Sequence, residues 1–298
     1  MKLALFDDYR LGVVTPDETA LVDVTDALPW PHDPDPQGAG WWVRLCRDFA
    51  ALRERLAAAA RGTPRSLASV RLRAPVLNPS KIVAAASNYH AHVEEMHAVL
   101  ERTAGGVEPW LMEFDVFLKA PSSIIGPEEA VVLPAAPLAA GKEIHHESEL
   151  AVVIGRGGRH IPEHEALAHV LGYTIGLDMT VRGTGDRSRR KSYDTFTPLG
   201  PWLVTADEIA DPHALHIHLT VNGTTRQDVN TRDMVVKIPG IIAYASSVMR
   251  LEPGDVILTG APPGVGQVRP GDVLETRIAG IGRMRQTVVA AEDTGAPG

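Results

Sequence analysis

The 298-residue sequence contains a single cysteine, Cys46. One thiol excludes an intrachain disulfide and a zinc cage built on cysteine. Its place within the Arg- and Ala-rich run Trp41 to Arg61, on a helical apolar pattern, makes it an expected core residue. Positive charge is also in short supply: 29 Lys and Arg stand against 37 Asp and Glu, a net charge of -8. That balance argues against a nucleic-acid partner, because binding phosphates needs a basic face. An anion bound here must be met by local positive charge or by a metal. Uninterrupted apolar runs of membrane-spanning length are missing as well. The opening MKLALFDDYRLG turns acidic and polar too early for a signal peptide, so a cytoplasmic location is the default expectation. What remains is ordinary globular material, 44% hydrophobic and 22% charged, enough for one large domain or two unequal ones.

Residues 1–30 alternate apolar and polar between turn residues at Asp7-Asp8 and Pro16-Asp17, the pattern of a hairpin or meander. Pro31 to Gly40 is rich in proline and glycine and reads as a loop. Residues 41–62 carry apolar residues at helical spacing and stop at Gly62. These pieces predict a small N-terminal α+β domain over residues 1–75, with Ala74 to Lys81 as the linker to a domain spanning 76–298. From Lys81 onward short apolar runs recur between Gly, Pro and Asp clusters, among them IVAAAS, VFLKA, ELAVVIG, LGYTIGLDM and DVILTG. Glu252-Pro-Gly-Asp and Arg269-Pro-Gly-Asp predict two alike turns, Pro presetting φ and Gly supplying the positive φ after it. Helical pattern is confined to Tyr89–Leu100, Glu163–Leu171 and Ile238–Met249. The expected fold class is therefore β-rich α+β, a barrel or sandwich decorated with short helices.

The most informative run is His145-His146-Glu147-Ser148-Glu149 followed by Leu-Ala-Val-Val-Ile. On a strand, Glu147 and Glu149 project to one side, where two carboxylates repel unless a cation or proton lies between them. Asp178 ends a second apolar run, Leu171 to Leu177, and offers a third carboxylate. Oxygen-only ligands suit Mg²⁺, Mn²⁺ or Ca²⁺ better than zinc. The same Glu-x-Glu can also lie on the solvated face of a half-buried strand, and the adjacent histidines leave a mixed His/Glu transition-metal site open.

The order of motifs narrows this. Asn88-Tyr-His-Ala-His92-Val-Glu-Glu95, Phe117-Leu-Lys-Ala-Pro121, Ile125-Gly-Pro127, Glu147-x-Glu149, Asp178, Lys191-Ser-Tyr-Asp-Thr-Phe196, Leu199-Gly-Pro-Trp202 and Thr259-Gly-Ala-Pro262 with Gly264-Val-Gly266 closely resemble the fumarylacetoacetate hydrolase family over residues 75–285. The resemblance implies a mixed β-barrel or roll catalytic domain and a homodimer. It also implies Mg²⁺ or Mn²⁺ held by Glu147, Glu149 and Asp178, chelating the 1-carboxylate and 2-oxo oxygen of a small 2-oxo acid and stabilising an enolate. His92 and Glu95, three apart on one helix face, match the family's general base and its orienting partner. Lys191 matches the catalytic lysine that steadies negative charge; Arg182 and Thr259 match substrate-facing positions.

Some features depart from the pattern. Only thirteen positions separate Asp178 from Lys191, and a glutamine common in that loop is absent, Gly185 standing near its place. Asp186, Arg187 or Arg189 can substitute for it, while the bland reading of Arg182, Arg187, Arg189, Arg190 and Lys191 is a solvated basic loop. Met96 to Trp110, with Gly105-Gly106, lengthens the region after His92 in the manner of a loop that orders over substrate. His160, His164, His169, His216 and His218 have no matching acidic cluster. The leading expectation is a hydrolase that cleaves a C–C bond in a β-diketo acid such as an acylpyruvate or fumarylpyruvate from aromatic catabolism. An oxaloacetate-type decarboxylase, or a 2-hydroxydienoate isomerase or hydratase, would use the same metal site, and a non-catalytic binding protein is the alternative from another class.

Overall fold

The computed structural model describes residues 1–38, 40–104 and 112–291. Strands β1 (Lys2–Phe6), β2 (Arg10–Val14) and β3 (Ala20–Asp23) form the expected antiparallel meander, and α1 (Gly40–Ala59) follows the Pro- and Gly-rich loop. The helix stops at Ala59, and Gly62 closes the following turn by donating to the Ala59 carbonyl at 3.0 Å. Its apolar stripe of Trp42, Leu45, Cys46, Phe49, Leu52 and Leu56 is buried. Each large side chain there contributes about 1.5–3 kcal/mol by leaving water. Strand β4 (Arg65–Ser66) then pairs with β3.

The rest of the chain supplies β5 (Ile82–Ala86), α2 (His90–Ala104), β6 (Asp115–Lys119), β7 (Ile124–Ile125), β8 (Val131–Leu133), α3 (Ala135–Ala139), β9 (Ile144–His146) and β10 (Ser148–Ile154). It continues through β11 (Val170–Leu177), β12 (Thr180–Val181), α4 (Arg187–Lys191), β13 (Thr197–Thr205), β14 (His216–Val221), β15 (Thr224–Asn230) and α5 (Ile238–Val248). Strands β16 (Val256–Leu258), β17 (Gly266–Gln267), β18 (Val273–Ile278) and β19 (Gly282–Ala290) complete it. The described residues thus form a β-rich α+β fold, and none of its helices is long and apolar enough to cross a membrane.

The main sheet runs β4-β3-β2-β1-β13-β11-β10-β16-β5-β6, with β7 pairing beside β13. The N-terminal meander joins it directly, because β1 pairs antiparallel with β13. Both faces are covered. Ala151 and Val153 of β10 pack with the α1 stripe, while Leu150, Val152 and Ile154 pack into the core shared with β14, β18, β19 and α5. Burial on two faces explains why ELAVVI reads as a continuous apolar run and not as an alternation. A second sheet, β15-β14-β18-β19-β8, and a small ribbon, β12-β9-β17, complete the framework.

Both Pro-Gly turns form as expected. Gly254 and Gly271 have φ of +88° and +95°, and Asp255 and Asp272 donate back to Glu252 and Arg269 at 3.1 and 3.0 Å. The helix expected over Glu163–Leu171 is instead a run of 3₁₀ turns, Glu163–His169. Val170 pairs with Ile154, so the strand claims the residues a longer helix would have needed. The stretch expected to extend the region after His92 falls partly outside the described residues, Gly105 and Gly106 included.

Candidate metal centre and active site

The carboxylates converge because of a strand break and a register. Glu147 occupies the break between β9 and β10, while Glu149 is the second residue of β10. Ser148 pairs with Leu177 across β10 and β11, so the residue after Leu177, Asp178, falls beside Glu147. The Asp178 amide seals that contact by donating to the Glu147 carbonyl at 2.8 Å. One oxygen from each of Glu147, Glu149 and Asp178 lies within 4.8 Å of the others, and all three residues are buried.

Three cations hold two of these carboxylates. Lys191 Nζ reaches Glu147 Oε2 at 2.6 Å and Asp178 Oδ2 at 2.5 Å; Arg182 Nη2 donates to Glu147 Oε1 at 2.6 Å. Lys119, whose side chain is fully buried, donates to Asp178 Oδ1 at 2.6 Å and to the Phe196 carbonyl at 2.7 Å. Burial lowers the Lys119 pKa, and the Asp178 carboxylate opposes that shift. Burial also opposes ionisation of Glu147, but Lys191, Arg182 and His92 together hold it well below the usual carboxylate range. Glu149 goes the other way: burial, then Asp178 and Glu147 beside it, push it well above that range. Its Oε2 accepts the Gly260 amide at 2.6 Å, and no cationic side chain among the described residues forms an ion pair with it. Three carboxylates buried this close repel unless a cation or a proton lies between them. With an oxygen-only donor set, the triad fits a hard divalent ion.

Above the triad, α2 presents one face inward. His92 and Met96 are buried and Glu95 is half-buried, while His90, Glu94 and His97 are exposed. His92 Nδ1 stands 3.4 Å from Glu95 Oε2, longer than a well-formed hydrogen bond, and the same oxygen accepts the Gly264 amide at 3.1 Å. Only glycine fits at 264: φ is +91°, and an added Cβ would lie 1.9 Å from the Arg226 carbonyl oxygen. The start of α2 is pinned by Asn88, which is fully buried and bonds the Thr259 carbonyl at 2.7 Å and both backbone groups of Val236. His92, Glu147, Arg182 and Lys191 line a common cleft with Phe117 and Ala261.

Of the residues singled out in the sequence, His92, Glu95, Glu147, Glu149, Asp178, Arg182 and Lys191 are thus brought together. Thr259 is placed behind the cleft wall, its hydroxyl donating to the Leu150 carbonyl at 2.9 Å, and its neighbour Gly260 makes the contact to Glu149. Two contributors escaped the reading of site residues. Lys119 and Asn88 lie inside quoted motifs, but a lysine on an apolar strand and an asparagine before a helix carry no sequence signal of where their side chains end. The basic segment departs further from a solvated loop. Arg187–Lys191 is a helical turn capped by Asp186, whose carboxylate accepts the Arg189 amide at 2.9 Å. Lys191 is buried, Arg187 and Arg190 line the cleft, and Arg189 is exposed.

Known proteins share this architecture. Residues 81–289 match the family described as fumarylacetoacetate (FAA) hydrolase, C-terminal. A maleylpyruvate hydrolase of Aquipseudomonas alcaligenes is 42% identical over 296 residues, covering 95% of this chain and 98% of that protein. The crystal structure of maleylpyruvate hydrolase from Sphingobium sp. SYK-6, in complex with manganese(II) ion and pyruvate, is 44% identical with a TM-score of 0.84, covering 98% of this chain and all of that one. A human mitochondrial oxaloacetate tautomerase is 41% identical over 254 residues, covering 81% of this chain and 76% of that protein. On fold, site and sequence together, the chain belongs to the fumarylacetoacetate hydrolase family.

Proposed function

We propose that the protein is a metal-dependent hydrolase that cleaves a carbon–carbon bond in a 2,4-dioxo acid, an acylpyruvate. The observation that carries the reading is the stacking of two devices on one cleft: three converging buried carboxylates and, across the cleft, a buried histidine with a carboxylate at its Nδ1. Glu147, Glu149 and Asp178 would hold Mn²⁺ or Mg²⁺, which when bound supplies charge neutralisation to the 1-carboxylate and 2-oxo oxygen of the substrate. Glu95 orients His92 through Nδ1, leaving Nε2 to take a proton from water. Water adds to the 4-carbonyl, the C3–C4 bond breaks with its electron pair staying on C3, and C3 takes up a proton. The products are a 2-oxo acid and the carboxylic acid of the acyl group. Lys191 and Arg182 place fixed positive charge where negative charge develops, and Thr259 sets the loop whose Gly260 amide bonds Glu149.

A second reading, oxaloacetate-type enolisation without cleavage, is favoured by the relatives named as tautomerases; the carboxylate floor serves both and the His92 pair separates them. The same proposal takes residues 1–75 as a small domain docked on the sheet edge through β1, and the protein as a cytoplasmic homodimer. Exposed Leu118 on edge strand β6, and exposed Tyr244 and Val248 on α5, whose Tyr244 hydroxyl reaches Asp115 of that strand at 3.1 Å, support the dimer. The test is product analysis. Metal-stripped protein reloaded with Mn²⁺ is given an acylpyruvate, and release of pyruvate with one equivalent of acid supports hydrolysis. A tautomer alone, with no pyruvate and no acid released, would transfer the assignment to the second reading.

A further inference from the structure

Strand β15 reaches both layers of the site from behind. Its pairing with β14 slips by one residue between Leu219 and Thr220, which leaves Arg226 as the extra residue of a bulge. A bulge re-aims the side chains next to it. The neighbouring Gln227 is fully buried, in a strand whose positions 224–226 and 228 are exposed. Its amide is used at both ends, and neither partner lies in its own sheet. Oε1 accepts the Ser148 amide at 2.9 Å, and Nε2 donates to the Pro262 carbonyl at 3.0 Å. A donor facing the oxygen and an acceptor facing the nitrogen fix which way the side-chain amide points. Ser148 stands between Glu147 and Glu149, beyond the last β10–β16 pair, Ala151 with Leu258, so the Gln227 side chain takes the place of a strand partner there. Pro262 belongs to the loop after β16, whose Gly260 amide bonds Glu149 and whose Gly264 amide bonds Glu95. That loop also lies directly on the bulge: a Cβ at Gly264 would stand 1.9 Å from the Arg226 carbonyl oxygen and 3.3 Å from the Gln227 Cα. A buried glutamine with a purely structural role satisfies its amide on whatever backbone is near. Here the two bonds tie the segment that bears two of the three carboxylates to the loop that contacts Glu149 and Glu95.

We propose that Gln227 is a positioning residue for both layers of the site. It sets the register between the strand that bears Glu147 and Glu149 and the loop over residues 259–264, and so decides where the Gly260 and Gly264 amides meet Glu149 and Glu95. The inference rests on the hydrolase reading for what the two layers do, and the test separates the two. Three variants are compared with wild type. Gln227→Met keeps the size and loses both bonds. Gln227→Glu keeps the acceptor for Ser148 and loses the donor for Pro262. Leu219→Ala opens a cavity at the residue paired with Gln227 on β14 and removes neither bond. Below the lowest Tm of the set, three quantities are measured: Mn²⁺ affinity by calorimetry, kcat and KM for an acylpyruvate at saturating Mn²⁺, and amide exchange at Gly260 and Gly264 in metal-free protein. Gln227→Met should weaken Mn²⁺ binding and lower kcat by about 10- to 100-fold each, the range for groups that orient a metal's ligands. Exchange at the two glycines should speed up by about 3- to 10-fold, the worth of one hydrogen bond. Gln227→Glu should fall between Gln227→Met and wild type, whereas Leu219→Ala should lower Tm and leave all three quantities near wild type. A Gln227→Met protein that matches Leu219→Ala in Mn²⁺ affinity and in exchange overturns the proposal. Should Gln227→Met not fold, Gln227→Glu decides, and wild-type behaviour in it overturns the claim. Should wild type cleave no acylpyruvate, the hydrolase reading fails, and Mn²⁺ affinity with exchange still decides this claim. Should wild type bind no Mn²⁺ either, exchange in the metal-free protein decides it alone.

Discussion

The floor and the roof of the cleft are built differently. The floor is made by strands: Glu149 and Asp178 sit at the ends of β10 and β11, whose pairing fixes their relation, and the ion pairs and hydrogen bonds of their carboxylates measure 2.5 to 2.6 Å. The roof is one helical turn of α2, with His92 3.4 Å from Glu95 and Glu95 held by a 3.1 Å bond to Gly264. A strand ladder resists displacement along its whole length, whereas a helix face pinned at Asn88 and Gly264 can adjust as substrate enters. Catalytic hydrogen bonds that are long without substrate commonly tighten on binding. On the proposed hydrolase reading, binding and charge fall to the floor, and proton transfer to the roof.

The largest way to break this division is Glu149→Ala. Removing the carboxylate that two neighbours already disfavour should abolish Mn²⁺ binding and lower kcat/KM by about 1,000-fold or more. A calorimetric Mn²⁺ titration that matches wild type would place the metal elsewhere. A smaller perturbation falls on the roof. Gly264→Ala forces a side chain into a positive-φ position against the Arg226 carbonyl, a strain of about 1–3 kcal/mol, and withdraws the amide from Glu95. Turnover should fall about tenfold while Mn²⁺ affinity stays within twofold; an equal loss of both would mean that the two layers are not separable.

The smallest expected effect concerns pH. Glu143 is held down to about 2 by its bond to Arg102 on α2, reinforced by His145. A carboxyl with a depressed folded value contributes stability that is complete above its ordinary 4.5 and lost as pH falls toward 2. Thermal denaturation should therefore show wild type losing more stability than Glu143→Gln between pH 5 and pH 3. Parallel curves would remove Arg102–Glu143 as a tie on the far end of α2.

The same contrast explains what was legible in the sequence. The floor could be read because strand alternation and an apolar run locate Glu147 and Glu149, although the break at Glu147 could not. The two Pro-Gly turns were legible because φ preferences are local. Strand β15, Thr224–Asn230, gave no signal, since most of its side chains face solvent and its buried position is Gln227. In β19 the inward positions are Met284, Gln286 and Val288, and the buried glutamine interrupts the alternation. Lys119 could not be placed because its destination, Asp178, lies 59 residues away. The Arg187–Lys191 turn read as loop because five residues are too few to show a period, yet its spacing is what brings Arg190 to the cleft.

The central claim, a metal floor under a separate proton-transferring roof, is tested most directly by His92→Ala. Cleavage of a 2,4-dioxo acid and Mn²⁺ occupancy are measured on the same samples of variant and wild type. The account predicts full Mn²⁺ occupancy in both and a loss of cleavage of about 10²- to 10⁴-fold in the variant. Cleavage by His92→Ala at near the wild-type rate would contradict it.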